Sequence, residues 1–207
     1  METETEAKFY VRNLAAVQLQ LEKMGAHLLQ PRALETNLRF DLPDGSLRQG
    51  GRVLRLRLRR DGSARLTCKG QSEVVEGVQS RPEIEVEVGD FDATRRLLES
   101  LGYRVVATYE KYRQVYSLEF KDGNLHVFLD ELPYGDFVEI EGETVEAVIA
   151  AAKRLGLDPQ AAIPAGYLVL FEALSAERGY DPSKLTFTAL AGLSPQPEHL
   201  HVRAADK

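Results

Sequence analysis

The chain has 207 residues, with 26 Lys or Arg against 32 Asp or Glu, for a formal charge of −6. That length buries a hydrophobic core without disulfides, and one cysteine, Cys68, excludes an internal disulfide and a multi-cysteine zinc site. The acidic balance argues against a protein that coats nucleic acid. No apolar run approaches the roughly 18 residues of a membrane helix, and Met1–Glu6 lacks the pattern of a secretory leader, so a cytoplasmic location is expected.

Taken in chain order, Glu4, Glu6 and Lys8 alternate with apolar or small residues and predict a strand with one charged face. Asn13 reads as the N-cap of a helix carrying Leu14, Val17, Leu21 and Met24, stopped by Gly25. A short strand is expected around Asn37–Leu42. Leu54–Arg59 alternates apolar and basic for three periods, and Ala64–Lys69 follows as a further strand. Glu83–Val88 repeats the alternation with carboxylates. Asp92 is the expected cap of a helix over Ala93–Leu101, closed by Gly102.

Strands are then expected at Thr108–Leu118, with Lys111 and Arg113 on the charged side, and at Leu125–Glu131, with Asp130 and His126 on one face. Phe137–Glu141 places Glu139 and Glu141 opposite Val138 and Ile140. Thr144 caps a helix over Val145–Leu155, closed by Gly156. An E-x-E strand, a helix and a hydrophobe-Gly stop therefore recur three times. Cys68 falls on the apolar side of its strand and is expected to be buried. Gly166–Leu174 reads as a helix in which Tyr167 packs, with a short helix near Ser183–Ala191 and a loose tail carrying solvated His199 and His201.

Collected together, one face carries Glu4, Glu6, Glu83, Glu85, Glu87, Asp130, Glu139 and Glu141 with Lys8, Arg55, Arg57, Arg59, Lys69, Lys111 and Arg113. Solvated outer faces are the plain reading of such patterns. Against it, like charges stacked along single strands repel on an open surface, and the amphipathic helices need an apolar partner, which the other face supplies. The expected fold is α+β: a closed eight-stranded antiparallel β tunnel with a charged lumen and helices packed outside. Burying so many ions dry would cost several kcal/mol each, so the lumen must be wet and hold something charged. Arginine forks suit phosphate oxygens, and carboxylates beside them suit a hard cation, Mg²⁺ or Mn²⁺. No phosphate loop or nucleophile elbow competes.

In this order the motifs resemble a family. Glu4-Thr5-Glu6-Ala7-Lys8 is similar to the E-x-E-x-K signature of the CYTH proteins, or triphosphate tunnel metalloenzymes. Leu54–Arg57 resembles their L-R-x-R strand, Leu66–Gly70 their L-T-x-K-G strand, Arg81–Glu85 their R-x-E-x-E strand and Glu110–Arg113 their K-x-R strand. Asp130 and Gly135–Glu141 resemble the closing acidic strands, and Phe40–Pro43 the aromatic-Asp-x-Pro turn. The likeness covers roughly residues 2 to 172, and the chain is read as a tunnel domain over 1–175 with a C-terminal helical extension and tail over 176–207.

The resemblance implies that Glu4, Glu6, Asp130, Glu139 and Glu141 hold the metal and that Lys8, Arg55, Arg57, Lys69, Lys111 and Arg113 grip a triphosphate. Glu4, Glu6 and Lys8 are the catalytic candidates, and Glu83 and Glu85 orient the cations or complete the metal site. Arg59 and Glu87 lie at strand ends, where a structural role is equally open. The implied reaction is metal-dependent hydrolysis of tripolyphosphate or a nucleoside triphosphate. ATP cyclisation of the class IV type and a non-catalytic polyphosphate-binding module are the alternatives. Where thiamine triphosphatases carry a tyrosine pair, this chain reads Arg39-Phe40, and the His-Phe pair that often precedes E-x-E-x-K in class IV cyclases has no counterpart in Met1–Thr3. The expected partner is a small-molecule triphosphate, with neither nucleic acid nor membrane; the oligomeric state is open, a homodimer being the candidate.

Overall fold

Period-two alternation along most of the chain produces strands that present one face inward and one outward. The computed structural model describes residues 2–120, 123–192 and 200–206. The elements are β1 (Glu2–Val11), α1 (Leu14–Lys23), β2 (His27–Asp41), α2 (Ser46–Gln49), β3 (Val53–Arg59), β4 (Ala64–Lys69), β5 (Glu73–Val75) and β6 (Val78–Val88). They continue with α3 (Phe91–Ser100), β7 (Arg104–Phe120), β8 (Gly123–Leu132), β9 (Gly135–Gly142), α4 (Val145–Arg154), α5 (Tyr167–Arg178) and β10 (Lys184–Leu185).

Eight antiparallel strands pair in the order β1-β9-β8-β7-β2-β3-β4-β6, and β6 returns to β1, which closes the barrel. The expected α+β tunnel is therefore the observed fold. Two additions lie off that circuit. The short β5 pairs with β6, and β10 runs parallel to the early part of β7.

The strand expected at Asn37–Leu42 is much longer and begins at His27. Pro31 hid its first half: proline donates no ladder hydrogen bond and is confined to edges and bulges. The pairing with β7 indeed shifts register between Gln30 and Ala33. The helix cap expected at Asp92 is Asp90, whose carboxylate accepts from the Ala93 N–H at 2.8 Å. Asn13 and Thr144 cap as expected. All three helices of the recurring unit stop at a glycine in the left-handed region, Gly25, Gly102 and Gly156, which an L side chain adopts only with strain.

The outer apolar face is covered unevenly. Across β8 and β9, Val127, Leu129, Val138 and Ile140 are buried against Leu21 of α1 and Val148, Ala151 and Ala152 of α4. A second cluster places Phe171 and Leu174 of α5 with Tyr134, Phe137 and Leu185. A third cluster sets Leu98 of α3 against Leu56, Leu66 and Val88, but the rest of the face over β4 and β6 is bare: Ile84 and Val86 are about half exposed, and Cys68, expected in the core, is exposed. Cys68 lies outside that cluster, so its side chain meets solvent.

The helix expected near Ser183–Ala191 is replaced by β10 and turns, and α5 itself continues past residue 175 to Arg178. The stretch 200–206 is fastened rather than loose. Ala204 bridges Tyr10, and the Asp206 carboxylate accepts the backbone N–H groups of Arg12 and Asn13. His201 is exposed, as expected; His199 lies outside the described residues.

Candidate active site in the barrel lumen

The barrel encloses a cavity of about 1000 Å³. Its lining includes Glu4, Glu6, Lys8, Arg55, Arg57, Arg59, Lys69, Glu83, Glu85, Lys111, Arg113, Glu139 and Glu141, all expected on the inward face. Register explains the convergence. Cross-strand neighbours Lys8 and Glu139, Glu6 and Glu141, and Lys69 and Glu83 face each other across hydrogen-bonded strands.

Two of the expected residues lie elsewhere. Asp130 is fully buried behind the cations rather than exposed to the cavity. It accepts from Lys111 Nζ at 2.9 Å, from Arg113 Nε at 2.6 Å and from the Tyr167 hydroxyl at 2.7 Å. Glu87 is exposed on the rim and pairs with Arg65. Arg113 also bonds Glu139, and Lys8 lies 3.2 Å from the same carboxylate. Burial would raise the Glu139 carboxyl, but Lys8, Arg113 and Lys111 outweigh it and hold it well below the usual range.

A second group surrounds Glu4. Its oxygens accept from Lys69 Nζ at 2.5 Å, and Arg81 donates to both Glu4 and Glu6, at 3.1 and 2.9 Å. Burial opposes ionisation of Glu4, yet Lys69 and Arg81 bring it down to about 2. Glu141 is different. Burial, and then the neighbouring Glu4 and Glu6, raise its carboxyl to about 7, and no cation pairs with it among the described residues.

The basic wall is built on β3 and β7. Arg57 lies 3.4 Å from Glu35 and 3.3 Å from Glu85, and burial with the adjacent Arg55 lowers it to about 10. Arg55 donates to the Tyr109 hydroxyl at 3.4 Å and to Thr67 at 3.3 Å. Glu85 receives Arg55, Arg57 and Arg65, which makes it an orienting carboxylate for three arginines. Glu83 stands 3.4 Å from Lys69.

Not singled out from the sequence are Arg39, Arg65, Arg81 and Tyr109, which line the cavity, and Glu35, which lies behind the basic wall. Glu35, completely buried, pairs with Arg57 and Arg59. The alternation Glu35-x-Asn37-x-Arg39 is a usable signal, obscured by Pro31 and the register shift beside it. Tyr167 packs, as expected, but its hydroxyl also fixes Asp130, and its ring lies under Lys8 at 4.3 Å. His126 is exposed at the rim of the cavity, in register with Glu141.

Among the described residues, no three His, Cys, Asp or Glu side chains gather closely enough to hold an ion as they stand. The donor chemistry of Glu4, Glu6 and Glu141 still fits a hard divalent cation. All the donors are carboxylate oxygens, and the burial and carboxylate repulsion that raise Glu141 are what such a cation would offset. No helix among the described residues is long and apolar enough to cross a membrane.

Comparison with known proteins agrees with this fold. An adenylate cyclase, provisionally so named, from Methanocaldococcus jannaschii is 26% identical over 177 residues, spanning 81% of this chain and 97% of that protein. Adenylate cyclase CyaB of Aeromonas hydrophila is 28% identical over 138 residues, 66% of this chain and 67% of its own. A solved structure from Hippeastrum, of a provisionally named adenylyl cyclase described as having a dominant triphosphatase activity, superposes with a TM-score of 0.59 at 21% identity, covering 82% of this chain and 95% of that one. The model of the CYTH domain matches residues 2–157. With three-quarters of its length matched and the barrel closed around the motif residues, this chain belongs to the CYTH domain family.

Proposed function

We propose that the protein is a divalent-metal-dependent phosphohydrolase acting on inorganic tripolyphosphate or a nucleoside triphosphate held in the lumen. The observation that carries this reading is the division of the lumen wall. Arg55, Arg57, Lys111 and Arg113 line the wall built on β3 and β7, while Glu4, Glu6 and Glu141 gather on β1 and β9. There Lys69 and Arg81 pair with the first two, and no cation among the described residues pairs with Glu141.

A triphosphate carries its charge on a row of non-bridging oxygens. Arg55 and Arg57 present forks to that row, and Lys8, Lys69 and Lys111 add point charges. Each is already aimed by a carboxylate, so little rearrangement is needed on binding. Those cations also stabilise the charge that builds on the leaving phosphate as water attacks phosphorus and the P–O–P bond breaks. Glu4, Glu6 and Glu141 would hold Mg²⁺ or Mn²⁺, which supplies charge neutralisation at the phosphoryl oxygens. Glu139 and Asp130 hold Lys8, Lys111 and Arg113 in place. In this reading they position the grip, although the motif likeness puts them with the metal ligands.

The second reading is ATP cyclisation, favoured by the likeness to the Aeromonas cyclase. It needs the same grip, and in addition a ribose hydroxyl aimed at the α-phosphorus. One experiment separates the readings: incubation with Mg²⁺ or Mn²⁺ and tripolyphosphate or ATP, with products resolved by phosphorus NMR. Phosphate and pyrophosphate from tripolyphosphate are expected. Cyclic AMP as the main product would replace hydrolysis by cyclisation, and tight binding without turnover would leave a binding module.

A further inference from the structure

Among the described residues, every lumenal cation but one is answered by a carboxylate. Lys8, Arg55, Arg57, Lys69, Lys111 and Arg113 each stand within ion-pair distance of a Glu or Asp, and so do Arg59, Arg65 and Arg81. Arg39 lines the same cavity and makes no ion pair or hydrogen bond among the described residues; its Nε is buried without a partner. Its cross-strand neighbour on β3 is Arg55, a like charge. The nearest candidate on its own strand, Asp41, is committed: its carboxylate accepts the backbone N–H groups of Leu42, Leu47 and Arg48 at 2.8 to 3.0 Å. Burial, with the adjacent Arg55 and Arg81, lowers the Arg39 guanidinium, while Tyr109 and Asp41 oppose that shift. A cation directly opposite another, with no anion between them, is destabilising in the protein alone.

We infer that Arg39 is a ligand for one further anionic group, so that the lumen accepts a linear polyphosphate of four phosphates in preference to three. The inference rests on the triphosphate reading above and extends it toward the end of the barrel where β2 turns into α2. The extension is limited to a single group. The next cation outward, Arg48, is clasped by Glu172 of α5 through two hydrogen bonds of 2.8 and 2.7 Å, and both residues line the mouth.

The test compares tripolyphosphate with tetrapolyphosphate, in Mg²⁺ buffer, for the wild type, Arg39→Gln and Arg39→Lys. Affinity is read by calorimetry and turnover by KM and kcat, with thermal unfolding as the check on folding. The wild type should bind tetrapolyphosphate about tenfold more tightly than tripolyphosphate. Arg39→Gln should erase that gap while moving tripolyphosphate affinity by less than about threefold, and Arg39→Lys should restore part of it. Equal loss for both chains, or no loss, would overturn the inference, as would a wild type that binds only tripolyphosphate. A wild type that binds neither would overturn the triphosphate reading itself, and this inference with it.

Discussion

Around Asp130 every charge has a partner: Lys111, Arg113 and Tyr167 all donate to it, and Arg113 and Lys8 reach on to Glu139. Around Glu141 the balance is reversed, since its neighbours Glu4 and Glu6 are carboxylates and the cations Lys69 and Arg81 are already engaged by them. Both groups lie on adjacent strands of one barrel, and both read in the sequence as acidic positions on an inward face. Their difference separates carboxylates that hold the fold and aim the cations from carboxylates left free to take a ligand.

The largest effect that could break this contrast is at the closed network. Asp130→Ala leaves Lys111 and Arg113 buried without their shared anion, and the loss of one member of a buried pair costs about 3–5 kcal/mol. Thermal or urea unfolding should register that loss with or without metal. A variant as stable as the wild type would show that Asp130 is not structural.

A smaller effect sharpens the contrast through pH. Despite their burial, Glu4 and Glu35 are held to about 2, by Lys69 and Arg81 and by Arg57 and Lys111. Their folded values lie below the ordinary 4.5, so the stability they contribute is present above about 4.5 and is lost as pH falls toward 2. Glu141 has the opposite sign. Its folded value of about 7 exceeds 4.5, so between these values the folded state keeps a proton that the unfolded chain releases, and stability falls as pH rises. Metal-free wild type should therefore lose melting temperature between about pH 5 and 7 relative to Glu141→Gln. Parallel curves for the two proteins would remove Glu141 from this role.

The inward face was legible because alternation of charge with Leu, Val and Ile is strict in β3, β6 and β9, and a closed barrel gathers such faces into one lumen. What alternation does not carry is the state of the opposite face. Ile140 and Ile84 occupy equivalent outward positions in sequence, yet one is covered by α4 and α1 and the other is half exposed. That depends on where three helices land, a matter of tertiary packing, and it is why Cys68 was misplaced. Nor does alternation tell a saturated carboxylate from an open one. Asp130 and Glu141 differ only through register and barrel closure, which bring Arg113 to the first and Glu6 to the second. Glu35 is hidden for a local reason, the proline and bulge that disguise the first half of β2, whereas Arg39 falls within the expected strand but stands there as a single charge with no alternating partner.

The most direct test is the binding of Mn²⁺ to tripolyphosphate-loaded protein, followed by calorimetry in wild type and Glu141→Gln, with folding checked by thermal unfolding. Weakening of metal binding by at least about 10- to 100-fold, with tripolyphosphate affinity retained, is the expected result. Unchanged Mn²⁺ affinity in a folded Glu141→Gln variant would contradict the assignment of the open carboxylates to the metal.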